Sequence, residues 1–272
     1  MEANDYSATA RYWGSISRNL DELICPSPVN IPAWAEETAR WLAEGNAILE
    51  VGPGRADLAA QVLSGTTGVR QYYLADVSEE ILAYAATKLA PLAGATTVTT
   101  IHADLNQQDA LRAIPAGTLD RIILLNVFGY LNPATALPAF SSRLKPGAFL
   151  RFTIQDFGFF SSSANYDAAS NCQLVTKRRK QADDRAQPQG HAIAADGTSI
   201  PVYGYRRGYS ADHITRLLQE HDFTDVHIRT VVLPKELLTS LQGRGSFTPA
   251  QEMILAEYGG RPIWDIVARK GE

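Results

Sequence analysis

The chain has 272 residues, 45% of them hydrophobic and 20% charged, with a formal net charge of −4. That composition can bury a sizeable core without staples, which excludes a disordered chain, and an isoelectric point near 5.8 argues against a dedicated nucleic-acid binder. Cys25 and Cys172 lie outside any CxxC or Cys/His cluster, so neither a structural zinc nor a disulfide framework is expected, and both read as reduced thiols of a cytoplasmic protein. Residues 1–6 show no secretory signal, and no apolar run approaches the ~20 residues that span a bilayer, so no membrane partner is expected.

Residues up to about 45 read as helical cover, with Asn30 as N-cap and Gly45 as C-cap of a helix from Ile31. Strands and helices then alternate: a strand at Ala47–Val51 and a helix at Ala56–Leu63, then a strand at Gln71–Asp76 and a helix capped by Ser78 through Leu89. Further strands are expected at Val98–Ala103 and Leu119–Leu125. A helix spans Ala136–Leu144, with Pro138 in its first turn. Lys145-Pro-Gly147 is a turn into a fifth strand at Ala148–Ile154. After Asp156 the pattern breaks for about fifty residues. Within that stretch Asp196-Gly197 is a hairpin signal. A helix at Ser210–His221, a strand at Val226–Val232, a helix near 249–258 and a last strand at Ile263–Ala268 complete the chain. The reading is one α/β domain over 1–272: helical cover to 45, cofactor-binding core 46–156, lid insert 157–209 and sheet completion 210–272.

The segment Ile48-Leu-Glu50-Val-Gly52-Pro53-Gly54-Arg-Ala-Asp57 places glycines where a strand turns into a helix. A dinucleotide fingerprint would have a third glycine where Asp57 stands, and no P-loop pattern is present. Two carboxylates around the turn disfavour a pyrophosphate on the helix N-terminus and suit a cationic, phosphate-free ligand such as S-adenosylmethionine.

On these residues the chain resembles the class I S-adenosylmethionine-dependent methyltransferases, over about 46–154 and the late strands near 226 and 263. Glu50-Val-Gly52-Pro53-Gly54 is similar to their E/D-x-G-x-G loop, with Ala56 where a third glycine is common. The resemblance implies a Rossmann-like, seven-stranded, mostly parallel sheet with helices on both faces. It implies that the loop holds the amino-acid part of the cofactor, that Asp76, followed by Val77, takes the ribose hydroxyls, and that Asp104 meets the adenine amino group with Leu105 beside the ring. It also implies that Asn126 and Val127 close over the cofactor, and that the product is S-adenosylhomocysteine. Asp76 could instead cap the helix that follows, and Asp104 could be a plain loop residue.

Methyl transfer requires alignment and exclusion of water, with a base only if the acceptor must lose a proton early. By position, the acceptor-pocket candidates are Tyr6, Tyr12, Trp13, Phe157, Tyr203, Tyr205 and Arg206, and the catalytic candidates are His191, Tyr130 and Asp156. His191 also reads as a solvent-facing loop residue, and His102 as a strand residue that packs or caps a loop. Lys177–Lys180 reads as a solvated basic run or an anion anchor. The expected function is methylation of a small molecule at oxygen, nitrogen or carbon, by a monomer or homodimer with no metal. Three alternatives stand beside it: a non-methylating reaction such as cyclisation or decarboxylation on the same fold, a macromolecular substrate, and a non-catalytic binding module. The absence of an N/D-P-P-Y/F motif at Asn126-Val-Phe-Gly-Tyr130 disfavours a nucleic acid, leaving a small molecule as the expected partner.

Overall fold

The computed structural model describes residues 27–65, 68–155, 191–193, 199–201, 211–234 and 262–272. In chain order these give α1 (Pro32–Ala43), β1 (Ala47–Val51), α2 (Asp57–Gly65), β2 (Gln71–Asp76), α3 (Glu79–Leu89), β3 (Thr97–His102) and β4 (Leu119–Leu125). There follow α4 (Pro133–Arg143), β5 (Leu144–Gln155), β6 (His191–Ile193), β7 (Ser199–Pro201), α5 (Ala211–Glu220), β8 (Phe223–Val232) and β9 (Pro262–Lys270).

The main sheet has seven strands in the order β3-β2-β1-β4-β5-β9-β8. The first five run parallel, and β9 is antiparallel to both β5 and β8. The connections after β1 and β2 build outward to one edge, and the chain then crosses to β4 on the other side of β1. That reversal opens a crevice outside the carboxyl ends of β1 and β4, where ligands of such sheets bind. Helices cover both faces, as the sequence led us to expect. On one face α4 and α5 send Leu137, Phe140, Ile214 and Leu218 against Leu49, Ile122, Leu124 and Phe152. On the other, α1, α2 and α3 bury Leu42, Leu58, Val62 and Leu82 against Ile48, Tyr72, Leu74 and Ile123.

Several boundaries differ from the sequence reading for local reasons. The N-cap of α1 is Ile31, not Asn30; the Asn30 side chain instead accepts the Ser27 N–H in a capping box on the short turn Pro28–Asn30. The helix ends at Ala43 with Glu44 as C-cap, one residue before Gly45. The Asn132-Pro133 pair starts α4 a turn early, because Asn132 caps the Ala134 N–H while Pro133 supplies a preset N1. Pro138 therefore sits inside the helix, not in its first turn, and faces solvent. Lys145-Pro-Gly147 is a bulge in β5, where the register with β4 jumps from Leu119↔Leu144 to Arg121↔Phe149 and Gly147 takes a φ of 72°. β6 and β7 pair antiparallel around the Asp196-Gly197 signal. The helix expected near 249–258, both cysteines and Lys177–Lys180 lie outside the described residues. No described helix is long and apolar enough to cross a membrane.

A buried ion network joins α1 to the antiparallel side of the sheet. Arg151, only 2% exposed, donates from Nε and Nη2 to Asp265 at 2.9 and 2.7 Å. Trp34 Nε1 and Arg229 Nε donate to the same carboxylate, and Arg229 also grips Glu37 at 2.8 Å through both terminal nitrogens. The Arg151 guanidinium lies over the Trp34 and Trp41 rings. Burial pushes the Asp265 carboxyl up, but Arg151, Trp34 and Arg229 together hold it below its ordinary value. Asp265→Ala would leave the Arg151 charge buried and half-partnered. It is expected to cost about 3–5 kcal/mol in urea unfolding, whereas Glu37→Ala, at the half-exposed rim, costs about 1 kcal/mol or less. Because the folded value of Asp265 is lowered, its contribution is present above the ordinary carboxylate range and disappears only as the pH falls through that lowered value.

Candidate functional site

The site is built where β1 ends. The N–H of Gly52 donates to the Ala75 carbonyl at 2.8 Å, prolonging the β1–β2 ladder by one residue, and the backbone then turns left-handed, with φ of 65° at Gly52 and 50° at Gly54. A Cβ on Gly52 would lie 2.3 Å from Cγ2 of Val127, so the end of β4 is packed against bare backbone; a Cβ on Gly54 would meet nothing within 4 Å. Ala56 also has positive φ, at 53°. The third position of the loop thus has the conformation that favours glycine, although its side chain is alanine.

Glu50 is 3% exposed, and its Oε2 accepts the Tyr72 hydroxyl at 2.8 Å. Burial, only partly countered by that hydrogen bond, raises the Glu50 carboxyl to about 7. At the start of α2, Asp57 pairs with Lys88 and with Arg55 at 3.3 Å. The negative charge read there from sequence is therefore met locally. Among the described residues, buried Glu50 and half-buried Asp76 have no cation bonded to their carboxylates.

Asp76 ends β2. Its carboxylate takes the Ser78 N–H at 2.9 Å and a backbone hydrogen bond from Val77, while burial raises it to about 6. Ser78, not Asp76, caps α3, accepting the Ile81 N–H at 3.3 Å. Half-buried Val77 is fixed through its carbonyl, 3.0 Å from His102 Nε2, while His102 Nδ1 lies 3.0 Å from Glu79. His102 thus secures the adjacent loop. Asp104 Oδ1 accepts both the N–H and the Nδ2 of Asn106 at 3.0 Å, forming a tight loop after β3. Leu105 is buried in the core, so its backbone borders the site more than its side chain does.

At the end of β4, Asn126 has φ 59°. Its N–H donates to Thr153 Oγ1 at 2.9 Å, and that hydroxyl donates back to Asn126 Oδ1 at 3.2 Å, tying β4 to β5. Tyr130 closes a short turn from Phe128 and is half-buried. The Asn132 N–H reaches Asn106 Oδ1 at 2.6 Å, joining the loops after β3 and β4. The carboxyl ends of β1 to β4 thus bring Glu50, Gly52, Pro53, Gly54, Asp76, Val77, Asp104, Leu105, Asn126 and Val127 to one rim. His191 pairs with Pro201 in the separate two-stranded sheet. Tyr6, Tyr12, Trp13, Asp156, Phe157, Tyr203, Tyr205 and Arg206 lie outside the described residues. Sequence reasoning missed Tyr72, the partner of Glu50, and Thr153, the partner of Asn126. The available signal was a hydroxyl-bearing side chain within a strand of a sheet covered on both faces.

Residues 48–147 match the family model of a methyltransferase domain. Among solved structures, the chain is similar to a SAM-dependent methyltransferase from Aquifex aeolicus, with 18% identity, 93% of this chain and 98% of that one covered, and a TM-score of 0.52. It is also similar to the [4+2]-cyclase SpnF, with 14% identity, 97% and 95% covered and a TM-score of 0.60. Geranyl diphosphate methyltransferase, solved with SAM, shares 12% identity over 86% and 85% at a TM-score of 0.58. At these identities the likeness is one of fold. No curated protein matches the chain.

The two glycines should respond differently to a methyl group. Gly52→Ala must displace the stiff Val127 side chain and is expected to cost at least about 1–3 kcal/mol in chemical denaturation. Gly54→Ala, facing open space, should cost only the strain of its backbone, about 1 kcal/mol.

Proposed function

Given a core that is a methyltransferase domain of the class I, S-adenosylmethionine-dependent type, we propose that this chain binds S-adenosylmethionine and transfers its methyl group to a small-molecule acceptor. The observation that carries the reading is the donor set at the rim. Glu50 lies at the end of β1, Asp76 ends β2 and Asp104 follows β3, around a glycine turn whose helix N-terminus is held by Asp57, Arg55 and Lys88. Carboxylates accept hydrogen bonds and attract cations, so the set suits an ammonium, ribose hydroxyls and an adenine amino group, and it does not suit a pyrophosphate.

When bound, S-adenosylmethionine supplies a methyl group on a sulfonium, opened to in-line attack by a neutral leaving group. The residues position and shield it. The Glu50 side chain and the bare backbone of Gly52 and Gly54 hold the amino-acid part, and Asp76 accepts from the ribose hydroxyls. Asp104, with the Leu105 backbone, faces the adenine, and Asn126 and Val127 close the rim beside β4. Tyr130, four residues beyond Asn126, is the described candidate for contact with the acceptor. His191 and the acceptor contacts read from sequence remain part of the proposal, as does the reading of 1–272 as one domain with a covering insert.

Two measurements test this. Asp76→Ala should raise the dissociation constant for S-adenosylhomocysteine about 10- to 100-fold, the loss of charge-assisted hydrogen bonds to two hydroxyls, with the melting temperature of the free protein nearly unchanged. Incubation with S-adenosylmethionine and a panel of small nucleophiles, followed by mass spectrometry, should give methylated product and S-adenosylhomocysteine in equal amounts. Conversion of an acceptor with no S-adenosylhomocysteine would replace methyl transfer by a rearrangement or cyclisation, the activity named for one protein of this fold.

A further inference from the structure

Glu50 and Tyr72 form a closed pair on adjacent strands. Both are buried, the hydroxyl lies 2.8 Å from Oε2, and the single hydrogen bond to Glu50 among the described residues leaves Oε1 for a ligand. We infer that Tyr72 is a positioning residue that holds Glu50 as a proton-releasing anchor. Arrival of a cationic ligand group at the glycine turn expels the Glu50 proton to solvent, so cofactor binding is linked to pH near neutrality.

The geometry dictates the direction. A buried carboxyl with a neutral partner favours its protonated form, because burial penalises charge. Burial and the neighbouring Glu50 raise Tyr72 well above its ordinary value, so the hydroxyl keeps its proton and can only donate to the carboxylate. The charged groups around Glu50 oppose each other: Asp57 on α2 pushes its carboxyl up, Lys88 on α3 pulls it down, and those two are bonded to each other. The apolar Ile123 is its neighbour on β4. Among the described residues the Tyr72 hydrogen bond and Lys88 favour the charged state of Glu50 but do not outweigh its burial, so an arriving cation can tip the balance. In the free protein burial raises the carboxyl to about 7, so it carries a proton for part of the time near neutrality. A bound ammonium favours the carboxylate, the O–H bond of Glu50 breaks, and the proton passes to buffer. Binding is then strongest above pH 7 and weakens by up to tenfold per unit below it.

The inference rests on the cofactor reading above, and one experiment separates the two. Calorimetric titration with S-adenosylhomocysteine, in paired buffers of unlike ionisation heat between pH 7 and 8.5, counts the protons exchanged; Asp76, raised only to about 6, stays largely ionised there. Wild type should release about half a proton more at pH 7 than Glu50→Gln, which cancels the ligand's own ionisation, and the difference should vanish by pH 8.5. Tyr72→Phe removes the hydrogen bond that favours the carboxylate. It should therefore move the midpoint of binding to higher pH and increase proton release at pH 7, effects that lost packing alone would not produce. Equal proton counts in wild type and Glu50→Gln, or a Tyr72→Phe protein that binds with an unmoved midpoint, would overturn the inference and leave the cofactor reading standing. Should Tyr72→Phe fail to fold, the comparison with Glu50→Gln decides alone. A wild-type protein that binds no S-adenosylhomocysteine at any pH would overturn both.

Discussion

The close approach of Gly52 to Val127 governs the rest of the site. A parallel sheet whose order reverses between β1 and β4 must turn two neighbouring chains away from each other at their carboxyl ends. Here β1 does so through bare, left-handed backbone, and the β4 side fills the space that a side chain would need. Because that turn is made without bulk, Glu50 stays under the loop and Asn126 can adopt its own left-handed conformation, braced by Thr153. The loops after β3 and β4 then lock together through Asn106 and Asn132. The carboxylates at these strand ends are held by hydrogen bonds of the protein's own backbone and side chains.

The carboxylates at the strand ends and in the ion network differ in how their charge is met. Asp265 is surrounded by Arg151, Arg229 and Trp34, its charge is fully answered, and its proton affinity falls. It anchors α1 to β5, β8 and β9. Among the described residues, Glu50 receives a hydrogen bond from a neutral hydroxyl and Asp76 from backbone amides, and their proton affinities rise. A fold that leaves a carboxylate buried without a cation keeps it in a costly state, and sites that receive a cationic ligand are where such a state has a use.

Much of this was legible in the sequence. The alternation of short apolar strands with capped helices defined the parallel half of the sheet. The Glu50-Val-Gly52-Pro53-Gly54 segment located the turn, and the family resemblance pointed to Asp76 and Asp104. Features that depend on contacts distant in sequence were not legible. The Tyr72 hydroxyl meets Glu50 only because β1 and β2 pair in register, and Trp34, Arg151 and Asp265 meet only once α1 lies on the sheet. The start of α4 is set by Asn132 as cap and Pro133 at N1, which leaves Pro138 inside the helix. Ala56 stands where a third glycine is common, and its positive φ shows that the backbone there keeps the conformation glycine favours.

The central claim is that the rim binds a cation-bearing, phosphate-free adenosine ligand. Titration calorimetry at pH 8 with S-adenosylmethionine, S-adenosylhomocysteine and NAD in parallel tests it most directly. Micromolar binding of both sulfur ligands with no heat from NAD is the predicted result. Binding of NAD in preference to either sulfur ligand would contradict the account, because it would mean that the turn around Gly52 accommodates a pyrophosphate beside Glu50 and Asp57.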